Sequence, residues 1–174
     1  MDKVYLEAFD ITIGHEGGLV NDPDDPGGKT KYGISQRSYP DVDIASLTLR
    51  DAQEIYYKDF WVKQSCHLML DTPDIAIELF DTSVNTGVGK GARIFQEALN
   101  LSNRAERDYQ DIAVDGSIGA KTISALRANK FKRLMFNIMN ALQGEWYIIL
   151  MRKREINEKY IGWFDRLDIK KKPK

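Results

Sequence analysis

The chain has 174 residues, of which 43% are hydrophobic and 29% charged. This composition is that of an ordinary globular protein with one compact domain or two tightly packed lobes. Its 25 basic and 26 acidic residues give a formal net charge of -1, which argues against a dedicated nucleic-acid-binding protein.

The first predicted helix covers residues 3–16. Apolar residues recur there at helical spacing, and Gly17-Gly18 then ends the pattern. Residues 19–40 are rich in proline and glycine and indicate a loop. Within this loop, residues 31–35 are the only place where we expect strands, as a short β-hairpin.

The rest of the chain indicates helices. Thr48, followed three residues later by Asp51, predicts the N-cap of a helix. Another helix should begin at Asp71 or Thr72, with Pro73 in its first turn. Two shorter helices are predicted over 89–100 and 117–129, and the longest over 131–160. The buried stripe predicted for this longest helix consists of Phe131, Leu134, Met135, Ile138, Leu142, Ile149 and Ile156. The fold class is therefore all-α, or mainly α with a minimal β piece.

Glu16 is the first candidate for chemistry. A helical wheel over residues 3–16 places this carboxylate between Tyr5 and Phe9, on an otherwise apolar stripe. Desolvation disfavours the charged form of such a group, and the negative end of the helix dipole does the same. We therefore expect its pKa to be raised towards the range of a general acid. The alternative is a Glu at the edge of the stripe that turns into solvent or pairs with an Arg.

The segment after Glu16 carries three acids, Asp22, Asp24 and Asp25, together with adjacent glycines and Thr30. Cleavage of a glycosidic bond needs a protonated carboxyl group and commonly a second polar group that positions water or stabilises positive charge on the sugar. A glycine-rich loop can return Asp25 and Thr30 to Glu16 without steric obstruction. The alternative is that these acids and glycines only form turns, since Asp, Pro and Gly are common in turns of any protein.

No metal or cofactor is expected. His15 and His67 lack the spacing of metal ligands relative to each other and to Cys66. The acidic run fails as an EF-hand, because Pro26 and Gly33 occupy two of the required ligand positions.

A longer pattern surrounds these candidates. His15-Glu16-Gly17-Gly18 is followed by Asn21-Asp22-Pro23, Asp25-Pro26-Gly27-Gly28, Thr30 and Gly33-Ile34. This opening resembles glycoside hydrolase family 108, which comprises phage-type N-acetylmuramidases and bacterial proteins called secretion activators. The resemblance continues at Ala52, Ile55-Tyr56 and Phe60-Trp61. The C-terminal part of that family, described as a predicted peptidoglycan-binding domain, is matched at Phe80-Asp81, Val84-Asn85, Gly87, Ala92, Asp115-Gly116, Gly119, Thr122, Ala125-Leu126 and Gly162-Trp163.

The resemblance implies a lysozyme-like helical fold and cleavage of the bond between N-acetylmuramic acid and N-acetylglucosamine. Glu16 falls on the catalytic Glu of the family, and a looser similarity to phage lysozymes suggests Asp25 and Thr30 as its catalytic helpers. At Leu19 the chain departs from the family, since many relatives have an aromatic residue there.

Five residues are predicted to bind substrate: Asp24, Tyr32, Trp61, Asp81 and Asn85. An aromatic side chain such as Trp61 can stack on a sugar ring, although a Trp in a helical pattern more often belongs to a core. Asp81 and Asn85 follow an apolar helix face and can reach a groove, with helix-end capping as the alternative.

Two lobes packed as one globular unit are expected: residues 1–75 as the catalytic lobe and residues 76–174 as the lobe that resembles the peptidoglycan-binding domain. The expected partner is the glycan strand of peptidoglycan, without nucleic acid. The alternatives in function are a lytic transglycosylase, which also depends on one Glu, and a non-catalytic wall-binding or secretion-helper protein.

The sequence contains neither a signal-peptide pattern nor an apolar run long enough to span a membrane. We therefore expect synthesis in the cytoplasm and action on the cell wall after release through a holin or an exporter.

Overall fold

A computed structural model describes residues 1–14, 18–19, 28–153 and 167. These residues form a mainly helical fold with one two-stranded hairpin, as predicted. The helices are α1 (Lys3–Thr12), α2 (Leu49–Tyr56), α3 (Pro73–Thr86), α4 (Val88–Ser102), α5 (Ala120–Ala128) and α6 (Lys132–Arg152), and the strands are β1 (Thr30–Lys31) and β2 (Ile34–Ser35). None of the helices in these ranges is long and apolar enough to cross a membrane.

Helix α1 is shorter than predicted. Asp2 caps its N-terminus, where the backbone N–H of Tyr5 donates to the Asp2 carboxylate at 2.8 Å. The helix ends at Thr12 rather than at residue 16, and Gly14 has a φ of +70°. A positive φ is costly for residues with a side chain but open to glycine, so Gly14 lets the chain leave the helix before the Gly-Gly pair that was expected to end it.

The Thr48 cap of α2 is confirmed and forms a complete capping box with Asp51. The helix continues directly into a π-helical segment, Tyr57–Val62, and a short 3₁₀ turn, Cys66–Leu68, follows. Such π segments change which residues face inward, because each turn contains an additional residue. In this case Trp61 turns into the core.

An aromatic cluster connects the N-terminal helices. The Tyr5 ring lies 4.9 Å from Tyr57, 5.5 Å from Trp61 and 5.8 Å from Phe80, measured between ring centroids. Most of these pairs are tilted or edge-to-face, the arrangement that the charge distribution of aromatic rings favours. This cluster fixes α1 and the π-helical segment against the middle of α3.

Helix α3 begins at the predicted position, with Thr72 as N-cap and Pro73 in its first turn. It packs against α1, α4 and α6, and it approaches α4 closely at Gly91. A Cβ at Gly91 would lie 2.3 Å from Ser83 Oγ and 2.8 Å from Ser83 Cα. The buried Gln64 amide joins the same contact, because its Nε2 donates to Ser83 Oγ at 2.5 Å and to the Val88 carbonyl at 2.7 Å.

Two side-chain amides of α4, together with that of Asn103 just after the helix, hold the long connection to α5. Gln96 donates to Asp115 at 2.8 Å and accepts from the backbone N–H of Gly116 at 2.8 Å. Asn100 exchanges two hydrogen bonds with the backbone of Ile112, and Asn103 donates to Asp111 at 2.6 Å. Side chains at this end of the molecule thus satisfy backbone groups of Ile112 and Gly116 in a loop without regular structure.

The buried face of α6 differs from the predicted stripe. Met135 is buried as expected, but Leu134 and Ile149 are 46% and 37% exposed. The residues of α6 that face the core are Met135, Phe136, Met139, Asn140, Gln143, Gly144 and Tyr147. Two of these are amides, and Gln143 is satisfied inside the protein, where it accepts from Thr82 at 3.1 Å and donates to the Tyr147 hydroxyl at 2.6 Å.

Candidate active-site cleft

A cleft of about 290 Å³ separates the hairpin turn from the C-terminal half of α3. Its lining consists of Gly33, Ile34, Ser38, Tyr39, Tyr56, Phe60 and Val84. Gly33 and Ile34 of the hairpin line one side of the cleft, and Val84 of α3 lines the other. The three aromatic residues Tyr39, Tyr56 and Phe60 lie between the hairpin and α3 in sequence. Apolar and aromatic surface beside a few polar groups is the usual character of a cleft that binds a small ligand or a sugar chain.

The hairpin turn is locked by Tyr56 of α2. Residues Thr30 and Ser35 pair across the strands, as do Lys31 and Ile34, which leaves Tyr32 and Gly33 as the two-residue turn. Both turn residues have positive φ, 51° and 74°, as a type I′ turn requires. The Tyr56 hydroxyl donates to the Tyr32 carbonyl at 3.2 Å, and a Cβ at Gly33 would lie only 2.7 Å from that hydroxyl.

The loop that follows the hairpin is held by Gln36. Its side-chain amide donates to the carbonyls of Tyr39, Pro40 and Val42 at 3.1, 3.1 and 2.9 Å. The Tyr39 hydroxyl in turn donates to Asp59 at 2.9 Å. Burial and the neighbouring Asp59 carboxylate raise the pKa of Tyr39 above its usual value, so the phenol stays protonated and keeps donating.

Thr30 lies on β1 and is half-buried. Its hydroxyl is 3.5 Å from the Gly28 carbonyl, at the outer limit of a hydrogen bond, so this contact holds the side chain only weakly. The strand pairing and the Tyr56 contact fix the backbone near Thr30. The Thr30 hydroxyl can therefore form a hydrogen bond with a further polar group from a fixed position.

Asp81 and Asn85 lie one turn apart on α3, beside Val84 in the wall of the cleft. The Asn85 amide donates to the Asp81 carbonyl at 2.7 Å and to its carboxylate at 3.1 Å. Both side chains are half-buried, and Asp81 also interacts with a further group. The two side chains are thus held together in the last two turns of α3.

Trp61 is not available to a sugar, and its predicted role in substrate binding is wrong. The side chain is 0% exposed and packs against Tyr5 and Phe80. Its indole N–H donates to the Asp2 carboxylate at 3.2 Å, which satisfies the one polar group that the buried ring carries. Trp61 therefore joins the π-helical segment to the cap of α1.

Two family models match the chain side by side. The model described as "Glycosyl hydrolase 108" matches residues 9–87, and the model described as "Predicted Peptidoglycan domain" matches residues 90–168. Together these matches extend over most of the sequence and confirm the resemblance seen in the motifs. Residues 9–87 thus match glycosyl hydrolase family 108, and residues 90–168 match the predicted peptidoglycan domain.

Among solved structures, the structure of Brucella abortus SagA is similar to this protein, with a TM-score of 0.71 at 21% sequence identity. The superposition covers 94% of this chain and 90% of that chain. At this identity the likeness concerns the fold, which is in line with a lysozyme-like fold. No curated protein sequence matches the chain. Family and domain matches together identify a glycoside hydrolase that acts on peptidoglycan.

The acidic members of the predicted site, Glu16, Asp24 and Asp25, lie outside the described residues. The wheel argument for Glu16 required α1 to continue to residue 16, whereas the helix ends at Thr12. The roles of these three carboxylates therefore stay predictions of the family motif. The structure describes the residues on either side of them, namely Gly14 at the end of α1 and the hairpin that begins at Thr30.

Sequence reasoning missed the residues that build the cleft. Tyr56 was recognised only as one of the positions that resemble the family, and neither Tyr39 nor Gln36 was singled out. The two-residue turn in front of Ile34 was a usable signal, since Gly33 needs a positive φ. Neighbouring residues could not predict that Tyr56, 23 residues further along the chain, contacts Gly33.

Proposed function

We propose that this protein is an N-acetylmuramidase that hydrolyses the bond between N-acetylmuramic acid and N-acetylglucosamine. The observation that carries the proposal is the family match over residues 9–87, which contains Glu16, Asp25 and Thr30 in one short segment. The cleft beside the locked hairpin supports it, because Thr30 belongs to that hairpin.

In the proposed reaction the Glu16 carboxyl group donates its proton to the glycosidic oxygen. The bond between the anomeric carbon and this oxygen breaks, and positive charge develops on the sugar ring. The Asp25 carboxylate stabilises this charge or accepts a proton from the attacking water, and the Thr30 hydroxyl orients that water. The water adds to the anomeric carbon and gives up one proton, either to Asp25 or to the Glu16 carboxylate, and return of a proton to Glu16 completes the cycle.

Four further residues are proposed to bind the glycan: Asp24, Tyr32, Asp81 and Asn85. Support for Asp81 and Asn85 comes from their position on α3 next to Val84 of the cleft wall. Support for Tyr32 comes from its place in the hairpin turn, where the Lys31 ammonium lies 5.7 Å from the centre of its ring. Hydrogen bonds from fixed amide and carboxylate groups are the usual means of holding sugar hydroxyls.

The test compares Glu16→Gln with Glu7→Gln, a matched control at an exposed position of α1. Loss of a general acid lowers the rate by roughly 10²–10⁴-fold, so zymography on purified peptidoglycan should show clearing by the control but not by Glu16→Gln. Thermal unfolding of both proteins establishes that they are folded. Lysis by folded Glu16→Gln at the rate of the control would contradict the assignment.

The products separate the muramidase from the alternatives. Mass spectrometry of digested peptidoglycan should show reducing sugar ends, which carry the elements of water. Anhydro-sugar ends instead would identify a lytic transglycosylase. Binding to the wall without any product would identify a non-catalytic wall-binding or secretion-helper protein.

Peptidoglycan lies outside the cytoplasmic membrane, so the proposed activity also requires a route to it. We propose release through a holin-type pore or an exporter. Fractionation of producing cells, with and without such a pore, measures whether the protein reaches the wall.

A further inference from the structure

A second cleft, of about 400 Å³, lies between the first turn of α3 and the first turn of α6. We call it the α3–α6 cleft. Its lining consists of Asp71, Thr72, Pro73, Asp74, Ile75, Lys132, Arg133 and Phe136. The residues from α3 belong to the segment matched by the hydrolase model, and those from α6 belong to the segment matched by the peptidoglycan-domain model.

The two cations of this cleft occupy positions that are unfavourable for the stability of helix α6. Lys132 and Arg133 occupy the first turn of α6, which contains no acidic residue. The N-terminus of a helix carries positive partial charge, so two cations there are unfavourable for the helix. A residue that breaks such a local rule needs either a compensating contact or a functional reason, and the contacts of each cation decide which applies.

The two cations differ in their contacts. The Lys132 ammonium donates to the carbonyls of Leu126 and Asn129 and thereby caps the end of α5, which leaves one of its three protons for another partner. Arg133 is exposed. Its planar guanidinium is the side chain best suited to hold a carboxylate by two parallel hydrogen bonds.

The opposite wall carries the opposite charge. Asp71 and Asp74 are both exposed, whereas Ile75 and Phe136 are buried and form an apolar floor. The negative charge of Asp71 acts on Lys132, where it partly offsets the lowering of the lysine pKa by burial. The cleft therefore presents cations, anions and an apolar surface within one concavity.

We propose that the α3–α6 cleft binds the peptide stems of peptidoglycan, with a stem carboxylate on Arg133 and a stem amino group on Asp71. Peptide stems are short, carry both charges and have apolar alanine side chains, which is the chemistry that this lining complements. The inference rests on the proposed function for its substrate, but it concerns the peptide rather than the glycan.

The position of the cleft fits a stem attached to a glycan in the active-site cleft. Partly exposed positions follow one face of α3 from Asp74 through Ile77 and Asp81 to Val84, which lines the active-site cleft. From Asp74 to Val84 the rise of 1.5 Å per residue corresponds to roughly 15 Å along the helix. An extended tetrapeptide spans roughly 13–14 Å, which is close to this separation.

Binding is tested by titration calorimetry with the free stem tetrapeptide and with its C-terminal amide, which lacks one negative charge. We expect the amide to bind wild type about tenfold more weakly, the equivalent of one charge-assisted hydrogen bond. Arg133→Gln should bind the acid about tenfold more weakly than wild type and should no longer distinguish it from the amide. Arg152→Gln, an exposed arginine at the other end of α6, should behave as wild type.

The amino group is tested in the same way. Acetylation of the stem amine should weaken binding to wild type but not to Asp71→Asn. Equal binding of acid and amide by wild type, or unchanged discrimination by Arg133→Gln, would overturn the proposal. Preferential binding of polyphosphate over the stem peptide would instead identify a site for an anionic polymer and would also overturn it.

Activity measurements keep this inference separate from the proposed function. Arg133→Gln should raise the KM for intact peptidoglycan severalfold with little change in kcat, and it should leave hydrolysis of peptide-free glycan strands unchanged. If wild type cleaves neither substrate, the muramidase proposal fails while the calorimetric result still decides the peptide site. Equal loss on both substrates would contradict a peptide site, because a stem contact cannot affect a glycan without stems.

Discussion

The lock between the hairpin turn and α2 leads to a prediction about Gly33. In Gly33→Ala the new Cβ would lie 2.7 Å from Tyr56 Oη but 3.9 Å from Tyr56 Cζ, so only the hydroxyl oxygen is in the way. The φ of +74° adds a second, independent cost for any residue with a side chain. The substitution therefore combines a steric penalty with a backbone penalty.

The two penalties have different sizes and can be separated. Left-handed backbone costs roughly 1–2 kcal/mol for alanine, and overpacking typically costs about 1–3 kcal/mol. We expect Gly33→Ala to lower the free energy of unfolding by about 2–5 kcal/mol in total. For a chain of this length that corresponds to a decrease in Tm of roughly 5–15 °C.

A double-mutant cycle with Tyr56→Phe isolates the steric part. Tyr56→Phe alone should cost about 1 kcal/mol, because it removes the hydrogen bond to the Tyr32 carbonyl. In that background the clash disappears, and Gly33→Ala should cost only the roughly 1–2 kcal/mol of its backbone. Urea unfolding of the four proteins, with the slope m compared between them, measures these differences.

The cycle has a clear negative outcome. If Gly33→Ala costs the same with Tyr56 as with Phe at that position, the hydroxyl is not in contact with the turn and the proposed lock is absent. Gly33→Asn serves as a control for the backbone, since Asn tolerates positive φ better than Ala but carries the same Cβ. It should lose less stability than Gly33→Ala while retaining its dependence on Tyr56.

Two further predictions concern the core. Gly91→Ala should lower the free energy of unfolding by about 1–3 kcal/mol, because the new Cβ overlaps Ser83. In Gly89→Ala, in the same helix, the new Cβ meets nothing within 4 Å, so the change should be neutral or stabilising by up to about 1 kcal/mol. Urea unfolding measures both effects. Equal effects of the two substitutions would show that α3 and α4 are not in close contact. Cys66 is fully buried, and burial raises the pKa of its thiol, so the native protein should not react with a thiol-specific disulfide reagent at pH 8 until denaturant is added. Rapid labelling of the folded chain would contradict its place in the core.

Local signals predicted several elements correctly. The capping box of Thr48 and Asp51 is confirmed, because such a box depends on residues three apart in sequence. The start of α3 at Thr72 and Pro73 is confirmed as well, because proline is favoured in the first turn of a helix. The short hairpin around residues 31–35 is also confirmed, since a two-residue turn depends on the backbone of two adjacent residues, here Tyr32 and Gly33.

Predictions that assumed regular helical geometry did less well. The wheel extended α1 to residue 16, but Gly14 takes the chain out of the helix. For α6 the predicted stripe counted only apolar residues, whereas Asn140 and Gln143 lie inside and Leu134 lies outside. An amide is stable in a core only when it finds a hydrogen-bond partner, and the partner of Gln143, Thr82, is 61 residues away.

The order of the helices, the hairpin and the family motif around Glu16 follow from sequence alone, because each depends on neighbouring residues. The contact of Tyr56 with the turn, the burial of Trp61 and the meeting of α3 with α6 in a charged cleft depend on segments distant in sequence. Their positions are decided when the aromatic core closes, since packing at interior density leaves each large side chain few places to lie.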